Sequence, residues 1–177
     1  MKRVLWVAGI LAVGIGIRAA QSLVAFKNQD TRMAHFETVM GDYLALKTLP
    51  VTEGEPYIRG RLVTVDVDQG IVDTWTYPKL SETLRATSPD EVGTVGLLLW
   101  DWRRIGAYVD QETQRETGEA FISTARLVLV DLADRKVITH ATFEGDAPAG
   151  GQTREGDYRS ERPMFKIVEY LESLPRR

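Results

Sequence analysis

The spacing of apolar and polar positions changes several times along the chain, and each change marks an element. Residues 4–17 (VLWVAGILAVGIGI) form an unbroken apolar run behind Lys2 and Arg3. Over 28–46, apolar side chains recur every three or four residues through Met33, Phe36, Val39, Met40, Tyr43 and Leu44. That spacing predicts a helix with Asp30 as its cap. From Tyr57 the period falls to two. Strands are expected over 57–67, 71–77, 94–100, 105–109, 120–130 and 136–143. Turn chemistry joins them at 68–70 and 131–135, with a tight connection at 101–104 and a polar loop over 110–118. Short helical turns are expected at 78–85 and 88–91, the second with Pro89 at its first position. A last helix, 163–174, sets Met164, Ile167, Val168, Leu171 and Leu174 on one face, and Pro175 blocks its continuation.

Helix, strands in hairpins, then helix is the order of an α+β fold. The expectation is an N-terminal membrane helix, then a single antiparallel sheet of about six strands packed by an N-terminal and a C-terminal helix. Residues 1–26 are assigned to a signal-anchor or transmembrane segment, 27–56 to a juxtamembrane helix and linker, and 57–177 to an extracytoplasmic α+β domain. One internal echo is present: RLVTVD at 61–66 and RLVLVD at 126–131. Val-rich strands that end in Asp arise independently, because Asp stabilises turn backbones. The layout resembles membrane-anchored periplasmic modules with NTF2-like or cystatin-like folds; the likeness is architectural and implies no activity.

The N-terminal run admits two readings. Fourteen apolar residues behind two cations suit a cleaved signal, and as a helix they rise only about 21 Å against a hydrocarbon core of about 30 Å. Cleavage after Ala20 places Arg18 where a small residue is wanted, however, and cleavage after Ala19 or Ala25 places Ile17 or Leu23 there. Apolar character resumes after Arg18, so 4–26 form a helix of about 34 Å, long enough to cross with tilt. Arg18 lies toward the outer half, from where it can snorkel to the interface. A retained anchor is the favoured reading. Lys2 and Arg3 set the N-terminus inside and the domain outside; a secreted or periplasmic product of cleavage is the alternative.

Composition narrows the rest. No cysteine exists anywhere, which removes disulfides, thiol catalysis and thiolate metal sites. Without Lys2, Arg3 and Arg18, 22 − 3 = 19 basic residues face 25 acidic ones, leaving the remainder near −6. No basic cluster offsets that charge, so nucleic acid is not an expected partner.

No motif assigns a catalytic residue, a cofactor or a metal. In 66–77 an EF-hand would want glycine sixth and Glu twelfth, where Ile71 and Tyr77 stand; a hairpin turn accounts for Asp66, Asp68 and Gly70. His35 and His140 belong to no metal-spaced pair, and no nucleophile elbow occurs. The densest unusual cluster is Trp100-Asp101-Trp102-Arg103-Arg104, with Tyr108 on the next expected strand. Aromatic side chains interleaved with arginine suit a protein interface, although the same residues also fill sheet–helix cores. The stretch 145–162 is the longest one expected to lack regular structure; it suits a recognition loop around Tyr158, a further candidate, and equally a tether that lets the last helix dock on the sheet.

Trp100, Trp102, Arg103, Arg104, Tyr108 and Tyr158 are therefore the candidate interaction residues. The leading expectation is a single-pass bacterial envelope protein whose extracytoplasmic domain serves protein interaction or envelope assembly without catalysis. A small-ligand or lipid-binding domain is the alternative, and a hydrolase-type enzyme ranks third.

Overall fold

The computed structural model describes residues 33–51, 54–147 and 156–177. They form an α+β fold with one mixed sheet of six strands and two helices. The strands are β1 (Arg61–Asp66), β2 (Ile71–Val72), β3 (Val92–Val109), β4 (Glu116–Asp131), β5 (Lys136–Glu144) and β6 (Tyr158–Arg159). Across the sheet the order is β2-β1-β3-β4-β5, with β6 also on β4. The helices are α1 (Met40–Ala45) and α2 (Met164–Ser173). Among the described residues no helix is long and apolar enough to cross a membrane. The expected anchor, residues 1–26, lies outside the described residues, as does the Asp30 cap.

The sheet is mixed where an antiparallel one is expected. β1 pairs with β3 in parallel, from Arg61 opposite Val92 to Asp66 opposite Leu98. The cause is the connection after β2. Residues 73–91 lead back across the sheet and begin β3 beside β1, running in the same direction. A chain that turns tightly can only return antiparallel; one with a long connection need not. The connection holds a 3₁₀ turn at Tyr77–Lys79, where a short helix is expected over 78–85, and the expected helical turn at Pro89–Glu91.

The expected N-terminal helix is broken into a 3₁₀ turn at Glu37–Val39, α1, and a second 3₁₀ turn at Leu46–Thr48. Thr38, Val39 and Gly41 are weak helix formers close together, and burial of Phe36, Met40, Tyr43 and Leu46 holds the segment in place. Met33 and Met40 share a groove with Val72. In α2, Ile167 and Leu171 are fully buried at four-residue spacing. The C-terminal tail is stitched down beyond it, where Ile58 N–H donates to the Pro175 carbonyl and Arg177 N–H to the Ile58 carbonyl.

The RLVTVD and RLVLVD echo is a shared local structure. Both segments are buried strands, and each terminal Asp closes its turn. Asp66 Oδ1 accepts the N–H groups of Asp68 and Gln69, and Asp131 Oδ1 accepts those of Ala133 and Asp134. Asp110 does the same at the β3–β4 turn, through Glu112 and Thr113.

Candidate functional site

The expected tight connection at 101–104 does not exist. β3 runs unbroken for 18 residues and pairs with β4 from Thr94 opposite Asp131 to Val109 opposite Glu116. Asp101 is the segment's one turn-favouring residue, no Gly, Pro or Asn follows it, and the flanking tryptophans suit a strand. β1 ends opposite Leu98, and β5 ends opposite Thr124. Beyond those points the β3–β4 hairpin continues as a ribbon, joined only by β6 among the described strands.

Residues paired across strands share a face, and residues along a strand alternate. Trp100 and Trp102 therefore lie on the face of Ala125, Ser123 and Phe143. α2 lies on that same face, because the Tyr170 ring meets Phe143 edge-on at 5.5 Å. The arginines at these tryptophans are not the expected ones. The Arg162 guanidinium sits 4.6 Å from the Trp75 ring centre and 5.0 Å from that of Trp100. Arg159 lies 5.4 Å from Trp102 and 5.7 Å from Phe121. Each cation is thus held between two rings, a contact that strengthens as water is excluded.

Arg103 and Arg104 are turned to carboxylates instead, Arg103 to Glu144 and Arg104 to Glu119, each at 2.8 Å. Tyr108 lies on the opposite face, and a bulge puts it there. Arg104 opposes Phe121 and Gly106 opposes Ala120, so Ile105 is an extra residue that inverts the alternation beyond it. Tyr108 consequently meets Tyr158 edge-on at 6.4 Å. The six candidate residues do not form one patch. The tryptophans occupy one face of the ribbon and the tyrosines the other.

Residues 156–162 bring Arg159, Arg162 and Tyr158 to the ribbon. Gly156 N–H donates to the Thr117 carbonyl, β6 pairs in parallel with Ala120 and Phe121, and Ser160 N–H donates to the Phe121 carbonyl. Ser160 Oγ then accepts the Ser123 N–H at 2.8 Å and ends the pairing. Gly118 makes this approach possible, since a Cβ there would collide with the Gly156 carbonyl oxygen. Part of the long charged stretch expected to lack structure is therefore an edge strand; 148–155 lie outside the described residues.

Beneath the Trp75–Arg162–Trp100 stack lies Asp73, fully buried. It accepts the Thr76 N–H at 2.6 Å and the Trp100 Nε1–H at 3.3 Å. Burial pushes its carboxyl above the ordinary 3.8, and the hydrogen bonds from Thr76 and Trp100 oppose that rise in part. The folded chain therefore holds this proton more tightly than the unfolded chain. Asp73 contributes most favourably below about pH 3.8, and that contribution is lost as pH rises through the elevated folded value. Asp73→Asn should remove the dependence: wild-type stability minus variant stability should fall as pH rises above 3.8. Urea titrations across acidic pH check the sign, and a difference that grows with pH would contradict it.

Comparison with protein-family models, curated proteins and solved structures finds no match to this chain.

Both histidines are exposed, and neither ring makes a hydrogen bond or ion pair with a carboxylate among the described residues. Among those residues no group of three or more His, Asp or Glu is placed to hold a metal ion. Arg159, Arg162 and Phe121 were not expected at the site. The only signal for the arginines is their position beside Tyr158 in a long charged stretch.

Proposed function

We propose that this chain is a non-enzymatic binding domain that holds a protein partner on its β3–β4 ribbon. One observation carries the reading. The ribbon leaves the sheet with Ile105, Val109 and Tyr158 at 41%, 48% and 37% exposure, and no described element covers them. Large apolar side chains on a projecting two-sided element are what an interaction arm presents. The bulge at Ile105 and the clamp by 156–162 hold the ribbon in one shape, which limits the entropy lost on binding. The proposal extends to setting: residues 1–26 anchor the chain in a bacterial membrane and the described domain faces outward, as their charge and apolar pattern favour.

A small-ligand site is the second reading, favoured by a groove of about 370 Å³ lined by Met33, Met40, Ile71 and Val72. It ranks lower because the groove is open and offers few polar groups to orient a ligand.

A photo-crosslinking amino acid in place of Tyr108 tests the leading reading in intact cells. One discrete heavier adduct is expected, and it should disappear when Val109 is also changed to Asp. The same group at the exposed Glu169 on α2 should give none. A ribbon without adducts, or one with the same adducts as Glu169, sinks the proposal.

A further inference from the structure

Beyond Leu98, no described strand pairs with β3 on the side where β1 ended. Ser123 directs both its N–H and its carbonyl away from β3, to Ser160 and Gly145. Its cross-strand partner Trp102 is therefore a residue whose own N–H and carbonyl point to the free edge, as do those of Trp100 and Arg104. Free strand edges pair with other chains unless something covers them. Here the cover is local: the Asp101 carboxylate accepts the Trp102 N–H at 2.7 Å.

We propose that this edge, residues 100–104, pairs antiparallel with the same edge of a second copy of the chain, with Trp102 on the two-fold axis. The order Trp-Asp-Trp-Arg-Arg is complementary to itself in that register alone. Trp102 opposes Trp102 of the second copy, and Asp101 opposes Arg103 of the second copy, twice. Trp100 opposes Arg104 of the second copy, a cation–ring pair repeated by symmetry. Of the other edge-facing positions, an axis at Arg104 would set arginine against arginine, and one at Trp100 would require Leu98, whose carbonyl already accepts the Val67 N–H.

The rearrangement needed is confined to side chains, and it includes Arg104, which leaves the partly exposed Glu119 carboxylate to reach Trp100 of the second copy. Trp102 N–H exchanges the Asp101 carboxylate for a backbone carbonyl, which frees Asp101 to meet Arg103 of the second copy. Arg103 leaves Glu144, an ion pair whose side chains are 56% and 52% exposed and which solvent therefore weakens. The bulge at Ile105 bends the strand and ends the pairing, as bulges do at edges. The ribbon tips beyond the bulge lie outside the proposed pairing. This inference stands apart from the proposed partner, which binds those tips: self-association and partner capture are read in different assays.

The chain has no cysteine, so a single introduced thiol reports its own neighbours. Full-length W102C should form a disulfide-linked dimer on mild oxidation far faster than E169C, because paired Cα atoms about 5.5 Å apart lie within disulfide reach. In the W102C background, Asp101→Arg alone or Arg103→Glu alone should slow crosslinking about tenfold through like-charge contacts. Mixing those two variants should restore it. The arginine introduced at position 101 of one copy then faces the glutamate introduced at position 103 of the other, and the native Arg103 of the first copy still faces the native Asp101 of the second. W102C crosslinking no faster than E169C overturns the proposal, and so does a mixture no faster than its components. Should W102C lose the fold, the same charge exchange is read by sedimentation of chains that keep Trp102, with the same two outcomes.

Discussion

Asp131→Ala is expected to cost about 3 kcal/mol of folding stability, whereas the corresponding change at Asp66 costs about 1 kcal/mol. The two carboxylates close equivalent turns, and the difference lies in what else each one holds. Asp66 accepts two turn N–H groups, which makes it comparable to a lost cap. Asp131 accepts two turn N–H groups as well, and its Oδ2 also takes the Tyr57 hydroxyl at 2.6 Å and Arg59 Nε at 3.2 Å. Arg59 loses little on truncation, because it is partly exposed and keeps two hydrogen bonds to Asp134. Tyr57 has no such recourse. It is buried, and burial, then the hydrogen bond and charge of Asp131, raise the pKa of its hydroxyl. Left without an acceptor, a buried hydroxyl costs about 1–3 kcal/mol. Urea unfolding of the two single variants gives the comparison directly. Tyr57→Phe in the Asp131→Ala background should recover part of the loss, since the orphaned group is then gone. Equal losses at Asp66 and Asp131 would show that the Tyr57 contact contributes nothing.

That contrast also shows how far the chain's sequence reveals its structure. The period-two stretches, the Asp turns and the apolar face of the last helix are local, and local chemistry locates them. The parallel β1–β3 pair is different. Nothing in 61–66 or 92–98 distinguishes a parallel neighbour from an antiparallel one, because that depends on where residues 73–91 carry the chain. The site is similar. Trp100 and Trp102 stand out as a pair, and the strand that holds both is simply longer than strands usually are. Tyr108 changes face because of one extra residue, Ile105, and no residue type announces a bulge there. Arg159 and Arg162 reach the tryptophans only because 156–162 fold back on β4, a contact between distant parts of the sequence that no spacing rule connects.

Leu127→Ala is expected to cost about 3 kcal/mol, and the cost should be coupled to a glycine on the next strand. Leu127 is fully buried in β4, and its cross-strand neighbours on one face are Leu98 and Ala141. Two residues along β3, Gly96 leaves the space that its Cδ1 occupies. A Cβ at Gly96 would lie 3.2 Å from Leu127 Cδ1 and 3.3 Å from Thr64 Cγ2. Gly96→Ala alone therefore crowds the site, at a cost of about 1 kcal/mol after neighbours yield by a few tenths of an ångström. Once Leu127 is shortened, the Cδ1 contact is gone and the new methyl enters the vacated space. It also restores strand preference to a position where glycine is poor. The double variant should thus be at least as stable as Leu127→Ala, a coupling of about 1 kcal/mol in a double-mutant cycle. Strict additivity would mean that the cavity collapses from another side, through Leu62 or Leu98. Urea midpoints of the four proteins separate these outcomes, and an unchanged denaturant slope confirms that the folded state is being compared.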